Sequence, residues 1–186
     1  MDWLGLRLFY VVGACLFWFI YIYRKTRKNP EVFKSWGFQR KYLKQSFLFL
    51  LPFALLVIAG IIVYGHTVNA HLLNWHVIPV LILYPAWGII QQFLMISLVA
   101  GNFMKLTDTK VTESQVILFT SFLFALVHYP SLPLMGFAFI LEIVFIKAFF
   151  KWPNIWSLGL YHGWIGGLFI FFVLERDLWS ELWVIF

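Results

Sequence analysis

Six stretches of the chain stay apolar for about as long as a helix needs to cross a bilayer. No other feature restricts the possible fold so strongly. About 30 Å of hydrocarbon takes roughly 20 residues at 1.5 Å each. The stretches are Trp3–Tyr23, Ser46–Gly65, His76–Ala100, Glu113–Tyr129, Leu132–Phe150 and Asn154–Leu174. Pro130 and Pro133 mark the end of the fourth, since a residue before proline leaves the helical region. Pro79 and Pro85 are expected to kink the third or delay its start. Of 186 residues, 62% are hydrophobic and 12% charged, against about 45–50% and about 25% in soluble domains. A soluble globule and a disordered chain are both excluded. The single cysteine, Cys15, excludes an intrachain disulfide and a cysteine metal cage. With no internal repeat and no low-complexity linker, the expectation is one all-α membrane domain over 1–186. It would be a polytopic bundle of about six transmembrane helices.

The net charge of +6 would point to nucleic acid in a soluble protein, but the placement of the charges points to orientation in a membrane. Lys and Arg of short loops stay cytoplasmic. Arg24–Lys44 holds eight of the fourteen basic residues, and two crossings later come Lys105 and Lys110. Two more crossings lead to Lys147 and Lys151, so twelve of fourteen fall on one side if six spans are right. Both termini then face away from the cytoplasm, as expected for a protein of the bacterial inner membrane with a retained first anchor. The bilayer is the expected partner and nucleic acid is not. Phe33, Trp36, Phe38 and Tyr42 interleave with the basic residues of Arg24–Lys44. That stretch reads as an orientation loop or as an interfacial helix drawn to anionic lipid. Leu178, Trp179, Leu182, Trp183 and Phe186 recur at helical spacing beside Glu175, Asp177 and Glu181. The tail 175–186 therefore reads as a short interfacial helix.

Polar residues inside a bilayer are expensive and tend to face a cavity or a partner. Five stand out: Gln91, Gln92, His128, Glu142 and His162. Counted from the basic-side ends of their helices, Gln91, Glu142 and His162 lie at depths of roughly 12–15 Å, and His128 at about 24 Å. Four helices can thus present polar groups to one cavity, with His128 as the outlier. Each residue has a plainer role available, because His and Gln commonly hydrogen-bond helix to helix in membranes. Gly163, Gly166 and Gly167, around His162, read as points where another helix comes close.

At these residues the sequence resembles the CPBP family of intramembrane proteases, which includes the type II CAAX prenyl endopeptidases and bacterial Abi-type proteins. The family's Glu-Glu-x-x-x-Arg motif corresponds to the stretch Pro85–Ile96, where Gln91 and Gln92 stand in the glutamate positions and Ile96 in that of the arginine. Its Phe-x-x-x-His motif is matched by Phe124 and His128. Its last motif, ending in His-x-x-x-Asn, is matched from Asn154 to His162, with Gly166 in place of the asparagine. The resemblance covers roughly Pro79–Leu174. It implies a CPBP-like fold in which Gln91 is the counterpart of the catalytic glutamate, Gln92 its neighbour, His128 the water-activating histidine and His162 the oxyanion-side histidine. A carboxamide has no proton to exchange near neutral pH and cannot serve as general base, which forfeits about 10²–10⁴ in rate.

Three functions follow as expectations. The first is a catalytically impaired relative acting as a membrane scaffold or assembly subunit, with a membrane protein as partner. The second is an active peptidase with a rearranged site, using His128, His162 and Glu142 on a prenylated or transmembrane peptide. The third is a subunit in which His128 or His162 ligates a metal or tetrapyrrole. No cofactor is expected for the first two.

Overall fold

In the computed structural model, residues 7–68, 75–106 and 111–184 are described. Every regular element among them is helical. The start of the first expected span (residues 3–6), most of the loop 66–75, Lys110 and Phe186 lie outside the described residues, as do the side chains of Leu182 and Trp183. The chain divides into two compact units, Met1–Ser35 and Trp36–Phe186.

The first unit contains α1 (Arg7–Lys28) and the short α2 (Val32–Ser35). Helix α1 runs on past the apolar stretch through Arg24, Lys25, Arg27 and Lys28, where cations suit the negative end of the helix dipole. The second unit holds α3 (Leu43–Thr67) and α4 (Val77–Gln92), which continues through a π-helical segment (Phe93–Ala100) into α5 (Gly101–Phe103). It is completed by α6 (Glu113–Leu126), α7 (Leu132–Lys151), α8 (Ile155–Phe172) and α9 (Leu178–Val184).

Four helices are long and apolar enough to cross a membrane: Leu43–Thr67, Val77–Phe103, Leu132–Lys151 and Ile155–Phe172. This marks an integral membrane protein. Helix α6 is apolar but has only 14 residues, so it stops short of the Glu113–Tyr129 span expected from the sequence. A capping box opens it: Thr112 Oγ1 accepts from Gln115 N–H, and Gln115 Oε1 accepts from Thr112 N–H.

Helix α8 is the centre of the second unit. Its apolar window is 83% buried, against 22% for α3 and 28% for the α4 helix. The outer helices instead expose apolar side chains such as Leu56, Ile82, Leu132 and Ile140. A surface this apolar suits hydrocarbon and not water. Helices α4 and α8 meet backbone to backbone. A Cβ added at Gly159 would lie 2.5 Å from Ile89 Cα, and one at Gly163 would lie 2.3 Å from Pro85 Cα. Pro85 is buried inside α4, so it joins this contact instead of delaying the helix.

Over Trp36–Tyr42 the structure departs from the reading of Arg24–Lys44 as a plain loop or interfacial helix. Trp36 is buried and packs edge-on against Phe93, while Phe38 packs against Phe93 and Trp156. Its backbone is held by partners distant in sequence. Ser97 Oγ donates to the Trp36 carbonyl at 2.6 Å, and Ile155 N–H donates to that of Gly37 at 3.0 Å. Asn154 Nδ2 donates to the carbonyls of Gln39 and Lys41 at 2.6 and 3.2 Å. Gly37 has φ +90°, and a Cβ there would meet Phe149 at 2.8 Å, so glycine is required twice over. The segment is a strap laid across one end of α8, not a solvated loop.

Candidate functional site

Four of the five polar residues singled out from the sequence are joined by hydrogen bonds across three helices. Gln92, the last residue of α4, is fully buried, and its Nε2 donates to Glu142 Oε2 on α7 at 2.9 Å. The same nitrogen lies 3.1 Å from His162 Nδ1 on α8. His162 Nε2 lies 3.0 Å from Gln91 Oε1. An amide oxygen only accepts, so Nε2 carries the imidazole proton and the Nδ1 lone pair receives the Gln92 N–H. Exchanging O and N in both amides reverses the bonds but still occupies both ring nitrogens. Both ring nitrogens of His162 are thus engaged by the two carboxamides.

Glu142 has one partnered oxygen. Its Oε1 is buried without a hydrogen-bond partner, as are Gln92 Oε1, Thr120 Oγ1 and Ser121 Oγ. The link from Glu142 to His162 runs through the Gln92 carboxamide, which bonds to both. Its inward orientation is the expected one for a carboxyl at this depth, where facing acyl chains costs about 2.5 kcal/mol or more.

His128 stands apart, as its depth suggested. It sits just beyond the end of α6, and its Nδ1 donates to the Phe124 carbonyl at 2.7 Å. Phe124 packs edge-on against both His128 and His162, with ring centroids 4.8 and 5.5 Å away. His128 and His162 also line one small cavity, together with Tyr84, Leu141 and Gly166. About 10 Å³ of it is open to a water-sized sphere, room for about one water. Among the described residues, no group of three or more His, Cys, Asp or Glu could hold a metal ion.

Sequence reasoning missed several contributors. The eight-residue π-helical segment begins immediately after Gln92, and π turns gather at functional positions. Nothing in its run of Phe93–Ala100 distinguishes it from an α-helix. Ser157 Oγ donates to Ser46 Oγ at 2.5 Å, tying α8 to α3; two lone serines in apolar runs were the only signal. At the opposite end of the bundle, Asp177 caps α9 through Trp179 and Ser180 N–H and pairs with His76 beside α4. Partial burial alone would raise the Asp177 carboxyl, but hydrogen bonds from His76 and Ser180 outweigh it and hold the group below its ordinary value.

No protein-family model, no curated protein and no solved structure matches the chain.

Proposed function

We propose that this protein is a catalytically impaired relative of CPBP-type intramembrane endopeptidases, serving in the membrane as a scaffold or assembly subunit. The observation that carries the reading is the Gln92 carboxamide, which engages Glu142 and His162 together while Gln91 takes the second nitrogen of His162. Gln91 and Gln92, in the family's glutamate positions, are here bonded to His162 and, through Gln92, to Glu142, fastening α4, α7 and α8, while His128 bonds the Phe124 carbonyl instead. Four changes from the family pattern act on one transition state, which makes mutual compensation difficult.

The same reading has six spans, with α1 and α6 as the crossings beyond the four long helices. Arg24–Lys44, Asn102–Thr112 and Lys151 are cytoplasmic and both termini are outside, in the bacterial inner membrane. The partner is another membrane protein. For topology, the test is labelling of Thr26→Cys in a Cys15→Ser background; labelling only from outside intact cells would overturn the orientation.

The activity test compares wild type with a Gln91→Glu, Gln92→Glu double variant on prenylated and transmembrane peptides. Wild type is expected to show no turnover above a His128→Ala control. Robust cleavage lost in His128→Ala would favour the second reading, a peptidase with a rearranged site. The observation on its side is that His128 and His162 share a water-sized cavity. Loss of that cleavage in Glu142→Gln as well would place the base on α7.

A further inference from the structure

We infer that the basic end of α1 is a binding site for the headgroup of an anionic phospholipid. Phe17, Ile20, Tyr21, Arg24, Lys25 and Lys28 line a groove of about 380 Å³. Their spacings of three and four residues place them on one stripe of the helix. Three other cations of this region are engaged elsewhere. Arg27 lies on another face, where its Nη1 donates to Tyr23 Oη at 3.3 Å. Lys34 pairs with Glu31 at 2.7 Å, and Lys41 stands 4.6 Å over the Tyr42 ring. Arg24 and Lys28 have no carboxylate or ring partner among the described residues, and Lys25 has only the Tyr21 ring at 5.8 Å. Three cations thus converge on one groove without an acidic side chain to neutralise them.

The apolar half of the groove argues for a lipid over a free anion. Phe17 and Ile20 are 61% and 50% exposed, and Phe17 lies about 16 Å along the helix axis from Lys28. A phosphate needs no such floor. A phospholipid held by its headgroup lays an acyl chain along it. The C-terminus of α1 carries partial negative charge that repels an anion, so binding depends on the three side chains.

The test uses the purified full-length protein in detergent, titrated with phosphatidylglycerol or phosphatidylcholine, with bound lipid counted by native mass spectrometry. Wild type is expected to prefer phosphatidylglycerol. Arg24→Gln, Lys25→Gln, Lys28→Gln should weaken that preference about fivefold per charge, on the order of a hundredfold in all. The control Arg27→Gln, Lys34→Gln, Lys41→Gln removes the same net charge and should leave the preference within about twofold of wild type. If the first triple variant fails to fold, Lys28→Gln alone should show the fivefold loss. Equal loss in both triples, or loss in neither, overturns the proposal. Displacement of the lipid by millimolar glycerol phosphate also overturns it, because the site would then be one for free anions.

Discussion

Gly163→Ala tests the contact on which the polar layer is hung. A Cβ at this position would lie 2.3 Å from Pro85 Cα, 2.5 Å from Pro85 N and 2.9 Å from the Tyr84 carbonyl carbon. All three are backbone atoms of α4, so no rotamer change relieves the clash. Ordinary contact begins near 3.4 Å, so α4 and α8 must part by about 1 Å. Overpacking of this kind costs about 1–3 kcal/mol, and a gap of that size forfeits a quarter to a half of the dispersion attraction across it. The hydrogen bonds of 3.0 and 3.1 Å from His162 to Gln91 and Gln92 span the same interface. Stretched to about 4 Å they are lost, at about 0.5–1.5 kcal/mol each. Against this, alanine is favoured over glycine in a helix by about 1 kcal/mol. The clash wins, and the net is a destabilisation of about 3 kcal/mol, or a fall of roughly 6–12 °C in melting temperature for a chain of this size. Thermal melting in detergent measures it. Gly166→Ala is the control, because its Cβ would meet Tyr84 and His162 only at 3.6 and 3.7 Å. There helix propensity wins, and the variant should melt at or slightly above wild type. A Gly163→Ala protein as stable as Gly166→Ala would refute the reasoning.

In the polar layer, Gln92→Leu leaves Glu142 Oε2 and His162 Nδ1 without their donor and should cost about 2–5 kcal/mol. Adding Glu142→Leu should restore part of that, so a double-mutant cycle in melting experiments is expected to be strongly non-additive; simple additivity would mean the two side chains do not interact. Asn154→Ala removes the α8 cap and the Nδ2 hydrogen bonds to the Gln39 and Lys41 carbonyls of the strap. It should lower stability by about 2–3 kcal/mol and raise protease sensitivity at residues 36–42. The lowered Asp177 carboxyl predicts an acid transition: its stabilisation is present above the unfolded value near pH 4 and is lost as pH falls through the still lower folded value. Fluorescence of Trp179, which packs against Trp75, should report release of α9 in that window, and Asp177→Asn should abolish the acid limb.

Local composition determined much about this protein. A helix crossing hydrocarbon must be apolar for a fixed length, so four of the expected stretches coincide to within a few residues with α3, with α4 and its π-helical continuation, and with α7 and α8, while α6 stops three residues short of the fifth. The cost of burying polar groups made Gln91, Gln92, Glu142 and His162 conspicuous, and their similar depths already placed them in one layer. Which atoms meet within that layer was not legible. Depth follows from counting residues along an axis, whereas rotation about that axis depends on neighbours far away in the chain. Only the packed bundle decided that the Gln92 amide would link Glu142 to His162, and that His128 would bond its own Phe124 carbonyl. The strap was hidden for a related reason. Trp36, Phe38 and Tyr42 among lysines and arginines look the same in sequence whether they lie on a membrane surface or against α8. Ser97 and Asn154, each more than 50 residues away, supply the hydrogen bonds that settle the matter. The approach of α4 to α8 at Gly159 and Gly163 likewise needs both helices present, because a glycine reports only the absence of a side chain and not what fills its place.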